Sequence, residues 1–477
     1  MRVVLCFAAF TFLAGAQTRY QPDWQSLDSR PTPSWYEEAR FGIFIHWGVY
    51  SVPSFAPPHA KGQTPYAEWY WNSLQSGKPA TVEFHNRTYG PGFSYAQFAP
   101  MFKAEFFDPD RWADTLQKSG ARYVVLTSKH HDGFALWPSA EADRDWGRPW
   151  NAESAGPHRD LLGDLTAAVR RKGLRMGFYY SLYEWYNPLW LTDKPAYVMQ
   201  HMHPQFKDAV TRYKPSIIFS DGEWELPSAE WRAPELLAWL FNDSPAKDDV
   251  VINDRWGKET RHKHGGYFTT EYTAGMATGD HPWEENRGMG MSYGYNRNEH
   301  IEDYHSSREL ILMLVDLVSR GGNLLLDIGP TADGRIPVIM EERLLQMGAW
   351  LKTNGDAIYG TKPWRKTRQF SKGEIPQLET NKEFMTPYDI TDYVDRKKPG
   401  QAVIEAFFTS KAGDIYAIFP QPLHGDWILQ DIHVSNATKV TALGTNSPVN
   451  WDREASGIRI HLPPGGGPEA IRITSAN

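Results

Sequence analysis

Lys214-Pro215-Ser216-Ile217-Ile218-Phe219-Ser220-Asp221-Gly222-Glu223-Trp224 carries a short apolar strand straight into a carboxylate, a glycine and an indole. A brief apolar run bounded by turn formers reads as a buried strand. In a barrel of parallel strands, the C-terminal end of each strand is where chemistry is placed. The pattern recurs twice downstream. Asp249-Val250-Val251-Ile252 leads into Asn253-Asp254-Arg255-Trp256-Gly257, and Gly266-Tyr267-Phe268-Thr269-Thr270 leads into Glu271-Tyr272. Three successive apolar segments thus deliver charged and aromatic residues at their ends. A carboxylate beside an indole suits a sugar, since the acid can do the chemistry while the aromatic face packs against the ring.

Working outward, strand-like runs fall at 41–47, 122–130, 174–182, 215–221, 250–254, 267–271 and 323–328, with 293–295 expected to be part of an eighth. Helical patterns at 161–172, 204–213, 234–241 and 308–320 lie between several of them. The last has clear ends: Ser306 with Glu309 makes a capping box, and Gly321 follows the final turn. Alternating strands and helices predict a parallel sheet. With seven or eight strands and no dinucleotide glycine fingerprint, the expectation is an α/β fold, a (β/α)8-type barrel. Aromatic, Pro- and Gly-rich sequence around 50–120 predicts long loops over its mouth. After about residue 365 short strands with turn residues predict a C-terminal β-sandwich. The expected division is 1–16 as a signal peptide, 17–364 as the barrel and 365–477 as the sandwich.

The composition fits this plan. The chain has 477 residues, 41% hydrophobic and 22% charged, enough to bury a large core. A net charge of −7 without a long basic run argues against nucleic acid. Arg2, the apolar run 3–13 and Ala14-Gly15-Ala16 form a signal-peptide pattern. That run is too short to span a bilayer, and no membrane insertion is expected. The single cysteine, Cys6, lies inside the leader, so the mature chain is expected to have neither disulfide nor thiol chemistry. Export to the periplasm or the extracellular space is expected, or to the lysosome if the source is an animal.

Carboxylates at successive strand ends fit the two-carboxylate mechanism of glycoside hydrolysis, one attacking the anomeric carbon and the other protonating the departing oxygen. Asp221, first after its strand, is the expected nucleophile, with Glu223 and Glu225 as rivals. Glu271 is the expected acid/base, and Glu284 in Pro282-Trp283-Glu284-Glu285 is its rival. Lys129-His130-His131-Asp132-Gly133-Phe134 also ends a strand. Adjacent histidines on a strand diverge, and no i, i+4 metal spacing accompanies them. Hydrogen bonds from these histidines to ligand hydroxyls are favoured over a metal site. His46, beside Trp47, repeats the idea.

Taken in order, the motifs resemble the α-L-fucosidases of glycoside hydrolase family 29. The series is 41–48 (FGIFIHWG), 66–70 (YAEWY), 129–134 (KHHDGF), 159–164 (RDLLGD), 177–181 (GFYYS), 253–257 (NDRWG), 270–272 (TEY), 292–297 (SYGYNR) and 321–330 (GGNLLLDIGP). The resemblance covers about 20–365, and the sandwich tail fits the family layout. It implies a retaining, exo-acting enzyme that removes α-linked L-fucose from an oligosaccharide or glycoprotein glycan. Carried onto this sequence, Asp221 matches the nucleophile and Glu271 the acid/base. His46, Glu68, Trp69, His130, His131, Tyr179 and Arg255 match fucose-binding positions, and Trp283 and Tyr293 match aromatics of the same pocket. Phe219 stands where some relatives carry tryptophan. Neither the carboxylate chemistry nor the resemblance calls for a metal or organic cofactor. Two other readings stay open: another retaining barrel glycosidase, such as an α-galactosidase, and a non-catalytic carbohydrate-binding protein. Linkage preference and homo-oligomerisation are left open.

Overall fold

Continuous apolar runs fold here as parallel strands buried on both faces, the pattern that helices covering a sheet impose. The computed structural model describes residues 19–58, 65–279, 281–421, 425–462 and 469–476. The expected leader (1–16, with Cys6) and the Pro- and Gly-rich loop at 463–468 lie outside the described residues. The strands are β1 Phe41–Ile45, β2 Tyr123–Lys129, β3 Arg175–Ser181, β4 Ile217–Asp221, β5 Val251–Ile252, β6 Phe268–Glu271, β7 Trp283–Gly288 and β8 Asn323–Ile328. They form one sheet in the order β5-β4-β3-β2-β1-β8-β7-β6. Its two edges meet where the Gly266 and Tyr267 N–H groups donate to the Ile252 carbonyl at 3.0 and 3.2 Å, which closes the sheet into a barrel.

Period-two alternation separates two apolar layers. Phe44, Tyr123, Val125, Tyr179, Ile217, Phe219, Val251, Tyr267 and Leu325 pack on one another inside the barrel. Their neighbours Ile43, Ile45, Val124, Leu126, Phe178, Ile218, Leu324 and Leu326 belong to the larger cluster shared with the surrounding helices. The barrel is therefore filled, as such barrels are. Its N-terminal end is plugged by Tyr36, whose ring lies 4.6 Å from that of Tyr267.

The expected helices form as Leu161–Arg171, His203–Tyr213, Ala233–Asn242 and Ser307–Ser319. Both halves of the Ser306/Glu309 capping box are present. The eighth strand is not where the sequence placed it. It is Trp283-Glu284-Glu285-Asn286-Arg287-Gly288, every residue of which is buried, whereas 293–295 lies in bends and coil. So charged a stretch reads as a loop. It survives inside a barrel because its charges are answered locally: Arg287 pairs with Glu285 at 2.8 Å, Tyr36 donates to Glu284 at 3.0 Å, and Asn286 donates to the Thr270 carbonyl at 2.8 Å.

Beyond the barrel, β9 Lys362–Phe370, β10 Ile404–Lys411, β11 Asp414–Ile418, β13 Val434–Ala442 and β16 Ala470–Ala476 make an antiparallel sheet. A second sheet contains β12 Gly425–Gln430, β14 Asn450–Glu454 and β15 Gly457–Leu462. Ala406, Phe408, Ile415, Ala417, Leu429, Ile458, Ile460, Ile471 and Ile473 fill the space between the sheets, completing a β-sandwich. Phe407, Tyr416 and Ile418 face the other way, into the barrel's core cluster. Arg368 and Tyr388 both reach Asp316 on the helix Ser307–Ser319. Between β9 and β10, residues 371–390 run back towards the barrel mouth.

Candidate active site

At the C-terminal ends of the strands lies a cavity of about 320 Å³, at the small end of ligand sites (about 300–1,000 Å³). The inner layer of the barrel is its floor, with Phe44 and Phe219 lining it from below. Most strand ends contribute a polar group above that floor: His46, His130, Asp221, Arg255, Glu271 and Asn286.

Asp221 closes β4, two residues beyond Phe219 and on the same face. The next residue, Gly222, has φ +76°, and a Cβ there would meet the Tyr183 ring at 2.5 Å, so the chain turns away only because the position is glycine. Asp221 Oδ1 accepts from Arg255 Nη1 at 2.9 Å, and Oδ2 accepts from the Tyr179 hydroxyl at 2.9 Å. His131 Nε2 stands 3.4 Å from Oδ2. Burial alone would push this carboxyl up, but the His131 hydrogen bond and the Arg255 charge outweigh it and hold Asp221 well below the usual carboxylate range.

Glu271 closes β6, and its Oε2 accepts from Arg255 Nη2 at 3.1 Å. Burial, reinforced by the charge of Asp221, lifts the Glu271 carboxyl above its usual range despite Arg255. The two carboxyls thus share one guanidinium yet are pushed apart in ionisation. Arg255 is itself held by donating from Nε to Thr269 at 2.9 Å and lies over the Phe219 ring. Its loop is tied to β4 through Asn253, which accepts from Ser220 N and Oγ at 3.1 and 2.7 Å.

Around the pair stand the histidines and the mouth loops. His46 follows β1, stacks on Tyr293 with centroids 4.7 Å apart, and meets Asp327 Oδ1 through Nδ1 at 2.6 Å. Burial drives His46 down to about 3 and drives the Asp327 carboxyl well above its usual range. His130 lines the cavity and stacks on Tyr179, and its buried Nδ1 has no protein partner. Glu68, on the turn Ala67–Trp69, accepts from Gly294 N at 2.8 Å and from the Ser292 hydroxyl at 3.3 Å. Burial lifts it to about 8. Tyr293 donates to Asn286 Oδ1 at 2.7 Å.

Of the residues singled out by sequence, His46, Glu68, Trp69, His130, Tyr179, Asp221, Arg255, Glu271 and Tyr293 all line this one cavity. His131 touches Asp221 from behind and is not part of the lining. Two others are elsewhere. Glu284 lies one layer deeper, two residues before the cavity-lining Asn286 on the same face of β7, with the Tyr36 and Tyr123 hydroxyls on its Oε2. Burial lifts Glu284 to about 7, with those hydrogen bonds opposing. Trp283, at the N-terminal end of β7, packs on Gly322, Gly275 and the Arg320 guanidinium, so it is not an aromatic of this pocket. The rivals to Asp221 are also engaged: Glu223 pairs with Arg261, and Glu225 faces Lys194 at 3.8 Å. The lining further includes Trp224, the indole noted beside the carboxylate in the sequence, and Phe44, Arg261, Asn286 and Phe384, four residues not picked from sequence as site residues. Asn286 was hidden with its strand. Phe384 comes from the segment after β9, which has no periodic pattern to mark it. Among the described residues, no group of three or more His, Cys, Asp or Glu is placed to hold a metal ion.

A filled barrel whose mouth sets two carboxyls on one guanidinium, with their ionisation pushed apart, beside an aromatic-floored cavity is the build of a glycoside hydrolase. Comparison with known proteins gives the family. The alpha-L-fucosidase family model matches residues 8–356, and the chain belongs to that family. It is 43% identical over 463 residues to the tissue alpha-L-fucosidase of Mus musculus, covering 94% of this chain and 92% of that one. To the tissue alpha-L-fucosidase of Homo sapiens it is 43% identical over 456 residues, covering 93% and 88%. The solved structure of Thermotoga maritima alpha-fucosidase with a mechanism-based inhibitor matches with a TM-score of 0.77 at 36% identity, covering 96% of this chain and all (100%) of that one.

Proposed function

We propose that this chain is an exo-acting, retaining α-L-fucosidase that removes terminal α-linked L-fucose from oligosaccharides or glycoprotein glycans. The observation that carries the reading is the pair Asp221 and Glu271 on one Arg255, the first held ionised and the second raised towards its protonated form. Retaining hydrolysis needs a nucleophile without its proton and an acid with one, about 5–5.5 Å apart. Two nitrogens of a single guanidinium, each bonded to a different carboxyl, keep them close.

In the first step Asp221 attacks the anomeric carbon. The bond to the leaving oxygen breaks as Glu271 gives that oxygen its proton, leaving a fucosyl ester on Asp221. In the second step Glu271, now a carboxylate, takes a proton from water, whose oxygen displaces Asp221 and frees the sugar with its configuration retained. Tyr179 and Arg255 stabilise the carboxylate that departs. His46, His130 and Glu68 supply partners for the ring hydroxyls. Phe44 and Phe219 give the C5 methyl an apolar wall. The packed barrel beneath them stops a longer chain from threading through, which favours action on terminal sugars.

The proton NMR spectrum of the first product from an aryl α-L-fucoside tests this. The α-anomer is expected first; the β-anomer would reject Asp221 as nucleophile. Asp221→Ala is expected to lose activity by orders of magnitude and to regain part of it with azide. Export through residues 1–16 to the periplasm or extracellular space belongs to the same reading. Among the described residues no helix is long and apolar enough to cross a membrane.

A further inference from the structure

Strand β5 has only two residues, Val251 and Ile252, so it ends well before the level of Glu271 on β6. The backbone groups of Glu271 that point away from β7 would therefore lack a strand partner. Residues 383–385 fill that place. Glu271 N–H donates to the Glu383 carbonyl at 3.0 Å, and Met385 N–H donates to the Glu271 carbonyl at 2.9 Å. Together they form a parallel bridge that sets Phe384 directly opposite Glu271. Residues facing each other across a bridge send their side chains to the same side, with backbones about 5 Å apart. Both side chains accordingly line the cavity. The segment is pinned further back as well, where Asn381 N–H donates to the Gly275 carbonyl and Ala277 N–H to Asn381 Oδ1. Tyr66, another lining residue, donates to the Met385 sulfur at 3.3 Å. Despite these anchors, Phe384 remains 51% exposed.

We propose that Phe384, carried by the segment that follows the first sandwich strand, is the platform for the leaving group: the first sugar on the departing side of the scissile bond packs on its ring. The inference rests on Glu271 being the proton donor. The atom it protonates is the glycosidic oxygen, which belongs to that departing sugar. Whatever follows this oxygen must pass beside Glu271, and the side chain fixed beside Glu271 at the exposed rim is an aromatic ring. A flat apolar face at this point suits the carbon-bound hydrogens of a pyranose, as aromatic surfaces suit other apolar partners.

The test compares two substrates with poor leaving groups, so that both need Glu271: an α-L-fucosyl disaccharide and methyl α-L-fucoside. Only the first offers a ring to Phe384. In Phe384→Ala, kcat/KM for the disaccharide is expected to fall about tenfold further than for the methyl glycoside, a factor equivalent to about 1.4 kcal/mol. Phe384→Trp is expected to restore most of the difference. Equal losses on both substrates would mean that the residue merely positions Glu271, and would overturn the proposal. So would undiminished activity on the disaccharide. If the unaltered enzyme cleaves neither fucoside, the fucosidase reading fails first and takes this inference with it.

Discussion

Replacing Glu284 by glutamine separates the two candidate acids. Glu284 is fully buried beneath the cavity floor, with one oxygen bonded to the Tyr36 and Tyr123 hydroxyls and the other without a partner. Its carboxyl is raised from 4.5 to about 7, burial being the largest cause. For an acid raised in the folded state, the folded protein binds more protons than the unfolded one between the two values. Stability therefore falls as pH rises across that window and is level above it. The window is worth about 3 kcal/mol from the width of the shift. Glutamine has the shape of the protonated acid, keeps an acceptor for the tyrosines and cannot ionise. Near about pH 5, below most of the window, Glu284→Gln should match the parent in stability. Near about pH 8 it should be more stable by about 3 kcal/mol, because the parent now carries an unpaired buried charge. Urea unfolding at both pH values measures the difference, and kcat on a natural-type disaccharide is followed alongside. Activity is expected to stay within a few-fold of the parent. A loss of a hundredfold or more, or destabilisation at the higher pH, would refute the placement of Glu284 outside the chemistry.

Glu271→Ala should act differently. Its loss removes the proton donor, so hydrolysis of a disaccharide should fall by about 10²–10⁴, while an aryl fucoside with a good leaving group should suffer much less; equal losses on both would point elsewhere. His131→Leu removes the hydrogen bond that helps hold Asp221 low. Asp221 should then need a higher pH to ionise, and the acid limb of kcat/KM should move to higher pH, whereas an unmoved limb would show that Arg255 and Tyr179 suffice.

Much of this site was legible because its chemistry follows the rule of strand ends. Asp221, Arg255 and Glu271 each come at or soon after the end of an apolar run, and His46 and His130 do the same. Strands β1, β2 and β8 were equally plain, since burial on both faces gives each an unbroken apolar run, Phe41–Ile45, 123–126 and 324–326. Strand β7 was hidden for the opposite reason. Its four central residues are polar or charged, and only the fold supplies Tyr36, Tyr123, Thr270 and Thr273 to satisfy them. Missing β7 obscured Asn286 and left Glu284 standing as a rival acid. Once the strand is seen, period two places Glu284 a layer below Asn286, outside the cavity that Glu271 lines.

The part no sequence pattern could reach is the closure around Glu271. A barrel with one strand of two residues cannot hydrogen-bond the full length of its neighbour, and an unpaired backbone group costs about 1–3 kcal/mol where water cannot reach it. The open edge falls beside Glu271; on the proposed reading this is the proton donor, which must stay within hydrogen-bond reach of its substrate, a place where small displacements are costly. Residues 383–385 answer both needs at once. On one side Tyr272 N–H bonds to the Asn286 carbonyl of β7; on the other, the Glu271 backbone is held by Glu383 and Met385. The segment lies between β9 and β10, both strands of the five-stranded sandwich sheet, and that sheet is fixed to the barrel helix through Arg368, with Tyr388 adding a hydrogen bond to the same Asp316 at 2.8 Å. The sandwich thereby does more than support the barrel. It holds one wall of the site, and the chain that spans its first two strands decides what stands next to the acid.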